Sequence, residues 1–132
     1  MKKLILAIVT LSVLFISCDR IHYIDMYIVN KCNESIEVIT HRDYVGYEIW
    51  QYTIATNSEC KINCAEIIFP LTKESIPVFF KRLEIKKSAI EININPLDTN
   101  YWNYEIISEN NILKKTFYRA NAILVVYDEF FE

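Results

Sequence analysis

Glycine is almost absent from this chain, which contains a single one, Gly46, among 132 residues. Glycine adopts left-handed backbone conformations at little cost, so motifs in which the backbone turns sharply or approaches a phosphate depend on it. The Rossmann fingerprint, the P-loop and the G-x-S-x-G nucleophile elbow each need two or more glycines. These three classes of site are therefore excluded, and turns must be built mainly from Asn, Asp, Ser and Pro.

Alternation of apolar and polar residues is the strongest structural signal, and the residues that carry it suit a pleated strand. Residues 90–95 alternate throughout and residues 82–86 do the same, with residues 87–89 between them. A period of two predicts a hairpin with one apolar face. Its predicted core residues are Leu83, Ile85, Ile90, Ile92 and Ile94.

Similar short segments recur along the rest of the chain. Residues 23–29 and 36–38 predict a second hairpin, closed by a six-residue loop. The other predicted strands are residues 47–55, 59–63, 66–70, 104–107 and 116–127. Together they predict a mainly β fold, a single antiparallel β-sandwich or small barrel over residues 25–132.

The first 17 residues have the pattern of a signal peptide. Lys2 and Lys3 precede a largely apolar, uncharged run over residues 4–17, which matches the two regions of an export signal. The run is 14 residues long, whereas a helix needs about 20 to span a bilayer. A cleaved signal is therefore favoured over a permanent transmembrane helix.

The end of this segment, Phe15-Ile16-Ser17-Cys18, resembles the lipobox of bacterial lipoproteins. The resemblance implies cleavage before Cys18, a lipid on its sulfur and a short tether over residues 18–24. Phe15 stands where a lipobox usually carries leucine, and the alternative is an ordinary signal peptide that ends near a cysteine. Because several acyl chains anchor a protein far more firmly than one, the membrane is the first expected partner.

Cleavage would remove 17 of the 132 residues and leave 115, enough for one domain. It would also remove Lys2 and Lys3, which changes the net charge from −3 to −5. A mildly acidic domain without a cluster of basic residues is a poor binder of nucleic acid. We therefore expect no nucleic-acid partner.

Three cysteines follow Cys18 in the sequence, and their pairing is open. In an oxidising compartment one disulfide is expected. Cys60 and Cys64 would lie about 13 Å apart on one strand, too far to bridge, so Cys32 would pair with one of them. Three free thiols are the alternative.

No catalytic or metal-binding motif stands out. His22 and His41 are the only histidines, and none of the five serines after the leader lies in a recognisable nucleophile motif. Cys60 and Cys64 have a spacing that zinc sites use, but no second pair of ligands accompanies them. We predict no catalytic residue, no metal site and no cofactor.

The aromatic residues give the strongest indication of a ligand-binding surface, because aromatic side chains at loop tips often anchor ligands. One group lies on the strand predicted over residues 47–55, and the other follows a loop after Pro96. The alternative is that these rings belong to the core or to a sheet edge. The residues predicted to bind a protein or glycan ligand are Asp98, Asn100, Tyr101 and Trp102.

Several segments resemble those of small β-sandwich lipoproteins from Gram-negative bacteria. They are Met26–Asn30, Phe79–Ile85, a loop that contains Trp102, and Tyr118–Phe130. The resemblance implies a β-sandwich that is lipid-anchored to the outer membrane. It implies no activity.

These features predict a non-catalytic, lipid-anchored protein of the cell envelope, either a binding module or an accessory of a surface assembly. A small periplasmic inhibitor or immunity protein that blocks an enzyme is the second hypothesis, since small acidic β domains suit that role. A hydrolase is the third hypothesis, and His41 would be the residue to substitute in testing it.

Overall fold

Eight β-strands make up most of the regular structure in the part of the chain that the computed structural model describes. That part comprises residues 21–42, 46–67, 74, 76, 79–112 and 115–132, with only the backbone described for residues 21, 67, 108–112 and 115–117. The strands are β1 (Ile21–Asn30), β2 (Ile36–Arg42), β3 (Glu48–Ile54), β4 (Glu59–Ile67), β5 (Arg82–Lys87), β6 (Ile90–Glu91), β7 (Trp102–Ile112) and β8 (Lys115–Val126). Short 3₁₀ turns cover Thr99–Tyr101 and Asp128–Phe131.

The strands form two open sheets of four strands each. Sheet 1 has the order β4-β1-β8-β7, and sheet 2 has the order β3-β2-β5-β6. Side chains from both sheets share one hydrophobic core. The predicted mainly β fold is confirmed and its arrangement is compatible with a sandwich, whereas neither sheet closes into a barrel within the described residues.

One pairing departs from the predicted antiparallel arrangement. β1 and β8 run parallel, in a register that extends from Ile21 opposite Phe117 to Asn30 opposite Val126. The other neighbouring strands in both sheets are antiparallel. A tight turn forces two strands to run in opposite directions, but β1 and β8 are joined by most of the domain, so no turn sets their direction.

The hairpin predicted from residues 23–29 and 36–38 is wrong, because its two arms belong to different sheets. β1 lies in sheet 1 and β2 in sheet 2, so the chain crosses between the sheets over residues 31–35. The buried side chain of Asn30 holds this crossing in place, since its Nδ2 donates to the carbonyl oxygens of Glu34 at 2.8 Å and Ile54 at 2.9 Å. Its Oδ1 accepts from the backbone N–H of Cys32 at 2.8 Å.

Residues 21–24, which the sequence assigned to a tether, lie in the first strand. β1 begins at Ile21, and the side chains of His22 and Ile24 are buried. They are buried because β1 lies inside sheet 1, with β4 on one side and β8 on the other. Residues 21–24 therefore belong to the domain.

The core consists of the inward-facing residues of both sheets. Leu83 and Ile85 are buried as predicted, but Ile90 is exposed. β6 is only two residues long, and the chain then leaves the sheet, with the N–H of Asn93 bonded to the carbonyl of Phe130 at 2.7 Å. The largest fully buried side chains are Trp102, Ile24, Met26, Ile28, Ile36, Ile62, Ile76, Ile85, Leu124, Val38, Val126 and Asn30.

Candidate functional site

An exposed group of apolar side chains lies on β3 and at its start. Tyr47, Ile49 and Trp50 are 60 %, 55 % and 49 % exposed. β3 is the outermost strand of sheet 2 among the described residues, so its far edge has no neighbouring strand there. Neighbouring apolar residues on an unpaired edge strand are unfavourable in water, and proteins usually protect such edges with charge, proline or a covering segment.

The only glycine of the chain lies just before this strand. Gly46 has a φ of +127°, in the region that side chains other than glycine rarely adopt. A Cβ added there would meet nothing within 4 Å. The glycine is thus needed for the backbone conformation that leads into β3. The space around it would accommodate a side chain.

A β-bulge in β4 connects the two sheets beside β3. The register between β1 and β4 shifts at Met26 and Tyr27, which oppose Asn63 and Lys61, so Ile62 is the extra residue. A bulge residue is left outside the regular ladder, and the carbonyl of Ile62 accepts hydrogen bonds from Arg42 Nη2 and from the Tyr52 hydroxyl. These bonds link sheet 2 to the edge of sheet 1.

A cleft of about 240 Å³ opens beside these contacts. Arg42, Glu48, Asn63 and Phe79 are among its lining residues. Arg42 also lies 5.6 Å from the centre of the Trp50 ring, and Trp50 Nε1 donates to Glu48 at 3.2 Å. Arg42 Nε is buried and has no hydrogen-bond partner among the described residues.

His41 belongs to a hydrogen-bonded chain on the outer face of sheet 2. Its Nδ1 lies 2.8 Å from the Tyr47 hydroxyl and its Nε2 lies 2.8 Å from Glu84 Oε1. Burial acts to raise the pKa of Glu84, but the hydrogen bond from His41 and the charges of Arg82 and Lys86 outweigh it, so the pKa is lowered. Both ring nitrogens of His41 are thus engaged, and within the described part of the chain neither contacts a serine or cysteine.

Two of the four residues in the predicted ligand loop, Asp98 and Trp102, make structural contacts within the domain. The Asp98 carboxylate accepts from the N–H of Asn100 at 2.9 Å and so caps the 3₁₀ turn. Trp102 is only 1 % exposed, and its Nε1 donates to the carbonyl of Pro96 at 2.8 Å. Strand β7 directs the indole into the core, so this ring does not reach the surface, where the sequence predicted it.

Tyr101 and Asn100 are the members of that loop that reach the surface. The Tyr101 ring meets the edge of the Phe130 ring at 5.7 Å. The Phe130 ring in turn lies 5.8 Å from that of Tyr127. The loop thus presents one partly exposed tyrosine, and the larger exposed apolar group is the one at β3.

Cys32, Cys60 and Cys64 are free thiols in the structure. Cys60 and Cys64 both lie on β4, whereas buried Cys32 has its Sγ 3.7 Å from the carbonyl of Val126 at the end of β8. Burial raises the pKa of all three thiols, which keeps them protonated at neutral pH.

Other sequence predictions are not addressed by the described residues. Cys18 and the predicted leader lie outside them. No helix within the described ranges is long and apolar enough to cross a membrane. The same ranges contain no group of three or more His, Cys, Asp and Glu side chains arranged to hold a metal ion.

Sequence reasoning did not single out Arg42, Tyr47 or the edge position of β3. A usable signal was present, because the segment 47–55 carries large apolar residues on both of its faces. A strand with only one face on the core usually alternates apolar and polar residues. Apolar residues on both faces of a short strand therefore indicate either full burial or a binding surface.

The chain was also compared with known proteins. It matches no protein-family model, no curated protein and no solved structure in these comparisons.

Proposed function

We propose that this protein is a non-catalytic, lipid-anchored binding module of the bacterial cell envelope, and that it binds an extended segment of a partner protein along β3. The observation that carries the proposal is the exposure of Tyr47, Ile49 and Trp50 on the outermost strand of sheet 2.

The chemistry of an edge strand supports an extended peptide as the ligand. An unpaired strand offers backbone N–H and C=O groups to a second strand, and exposed side chains beside it supply specificity. Tyr47 and Trp50 give rigid apolar contact area at low cost in conformational entropy.

The proposal that the protein is non-catalytic rests on His41, because both of its ring nitrogens already have hydrogen-bond partners. A histidine that activates a nucleophile needs one ring nitrogen beside that nucleophile and the other beside an orienting group. In this chain the two nitrogens face Tyr47 and Glu84.

The lipid anchor rests on the sequence before β1. Only Asp19 and Arg20 separate Cys18 from the first strand residue, Ile21, so the domain would lie close to the bilayer surface. Metabolic labelling with a palmitate analogue should mark the protein, and Cys18→Ser should abolish the label. Labelling that persists in Cys18→Ser, or an unlabelled protein free in the medium, would contradict the anchor.

Photo-crosslinking in cells tests the binding surface. A photoreactive amino acid at position 49 or 50 should give one discrete adduct, because the two exposed side chains lie on opposite faces of β3 and both flank a strand added along its outer edge. The matched control position is Ile107 on β7, which is exposed to a similar degree. Equal adducts from all three positions, or none from β3, would contradict the proposal.

The identity of the crosslinked partner separates the two binding roles. A structural envelope protein agrees with an accessory of a surface assembly. An enzyme whose activity falls on stoichiometric addition of this protein agrees with the inhibitor hypothesis.

A further inference from the structure

A buried carboxylate lies beneath two cations on the outer face of sheet 1. Asp25, on β1, is only 2 % exposed. Its Oδ1 lies 2.6 Å from Lys61 Nζ on β4, and its Oδ2 lies 2.7 Å from Arg119 Nη2 on β8. The three residues are brought together by strand order, because β1 lies between β4 and β8.

The cations remain accessible although the acid does not. The side chains of Lys61 and Arg119 are 42 % and 58 % exposed. An ammonium group has three donors and a guanidinium group has five, and the contacts with Asp25 use one donor of each. The remaining donors can therefore meet a second acceptor, while Asp25 fixes the positions of both head groups.

The local charge favours an anion. Among the residues that line the pocket described below, Lys61 and Arg119 contribute two positive charges and Asp25 one negative charge, which leaves one positive charge in excess within the lining itself. Cys64 lies opposite Asp25 on β4. Burial and the Asp25 carboxylate both raise the pKa of its thiol, so it adds no negative charge at neutral pH.

These groups line a pocket together with an aromatic wall. The pocket has a volume of about 250 Å³ and is lined by Tyr23, Asp25, Lys61, Cys64 and Arg119. That volume is below the range of roughly 300–1,000 Å³ that holds drug-sized ligands. It therefore suits a single charged ring or a small charged group.

We infer that this pocket binds the carboxylate of an acidic sugar, with Arg119 and Lys61 as the donors and Tyr23 as the wall against the sugar ring. A guanidinium fork matches the two oxygens of a carboxylate. One excess positive charge balances a carboxylate, whereas a phosphate carries more negative charge than the pocket offsets. The pocket is separate from β3, so this inference stands or fails independently of the proposed peptide ligand.

The test is an NMR titration of the full chain in a neutral detergent, with glucuronate, glucose and inorganic phosphate as probes. Glucuronate should produce saturable amide shifts at residues 23–25, 61–64 and 119. Glucose lacks the carboxylate and should produce none. Phosphate that binds as tightly as glucuronate, or glucose that matches it, would overturn the inference.

Variants separate a specific site from general electrostatic attraction. Arg119→Lys keeps the charge and loses the fork, so glucuronate affinity should fall about tenfold. Arg82→Lys is the matched control, because Arg82 is a similarly exposed arginine that pairs with Glu84 in sheet 2. An equal loss in both variants would overturn the inference.

A variant that is expected to bind glucuronate more tightly provides a further test, because a misfolded variant would bind it less tightly. Glu66 lies directly opposite Tyr23 in the ladder between β1 and β4, so its charge opposes an anion in the pocket. Glu66→Gln should therefore raise glucuronate affinity about two- to threefold. Unchanged or weaker binding in this variant would overturn the inference.

Discussion

The amide nitrogen of Asn30 donates a hydrogen bond to the carbonyl oxygen of Ile54 at 2.9 Å, and this bond joins the end of β1 in sheet 1 to the end of β3 in sheet 2. Asn30 is completely buried, and its side chain also bonds Glu34 and Cys32. One side chain thus satisfies three backbone groups at the point where the chain crosses between the sheets. A buried amide with all of these partners fixes a single path for the crossing.

Replacing Asn30 with alanine should destabilise the protein by about 2–4 kcal/mol, because three backbone groups lose their partner in a buried place. Unfolding in urea, followed by fluorescence, measures the change. Asn33→Ala is the control, since Asn33 lies in the same crossing with an exposed side chain, and it should change stability by less than about 0.5 kcal/mol. Equal effects of the two variants would contradict the role assigned to Asn30.

The Asp25 cluster should make the protein sensitive to acid. Burial acts to raise the pKa of Asp25, but hydrogen bonds from Lys61 and Arg119 outweigh it and lower the pKa below its ordinary value of 3.8. A lowered pKa in the folded state contributes stability above pH 3.8, and this contribution is lost as the pH falls through the folded-state pKa. The free energy of unfolding should therefore decrease on acidification between about pH 5 and pH 2.

Asp25→Asn should flatten this part of the pH profile and should lower stability at pH 7 by about 1–3 kcal/mol. Glu37→Gln, at an exposed position on β2, is the control. Its free energy of unfolding should depend on pH in the same way as that of the parent protein. The measurement is urea unfolding at each pH. A profile that stays equally steep without the Asp25 carboxylate would show that other acids cause the effect.

The two tryptophans should differ in fluorescence, because Trp102 is buried and Trp50 is half exposed. The variant Trp50→Phe, which retains Trp102, should emit at shorter wavelength and resist quenching by iodide. The variant Trp102→Phe, which retains Trp50, should emit at longer wavelength and be quenched. If Trp102 instead emitted at longer wavelength and were quenched more than Trp50, the result would place Trp102 at the surface, as the sequence predicted.

The three thiols should react in an order set by their burial. Under native conditions Cys64 should be modified first by a thiol reagent and Cys32 last, since Cys64 is exposed and Cys32 is buried. All rates should rise with pH, because the thiolate reacts and burial raises each pKa. Peptide mapping after modification under unfolding, non-reducing conditions should find all three labelled, and two unlabelled cysteines would indicate a disulfide.

Strand positions could be predicted from the sequence because alternation is a local property. The segment around β5 was recognisable from its period of two, and those around β3 and β8 from their many β-branched and aromatic residues. The neighbours of a strand are not a local property. Nothing within residues 21–30 indicates that they pair with residues 117–126, and the short segment between β1 and β2 gave the appearance of a hairpin.

The candidate site was harder to predict for a related reason. Trp50 and Trp102 both lie on the outermost strand of a sheet, β3 and β7, so an edge position does not by itself decide which ring reaches solvent. Trp102 lies opposite Leu124 and is covered by the core, whereas Trp50 lies opposite Thr40 and stays half exposed, and this difference depends on packing between the sheets. Similarly, Asp25, Lys61 and Arg119 are distant in sequence and adjacent only through strand order.

The parallel pairing of β1 with β8 also has a consequence for the timing of folding. The ribosome makes β1 first and β8 last, yet β8 is one of the two strands that flank β1. Sheet 1 thus lacks its central partner until the residues up to Val126 have been synthesised, and such distant pairings form slowly. The nascent chain should consequently lack a complete sheet 1 until synthesis is almost finished. Until then it should remain able to pass through a narrow channel in an extended form.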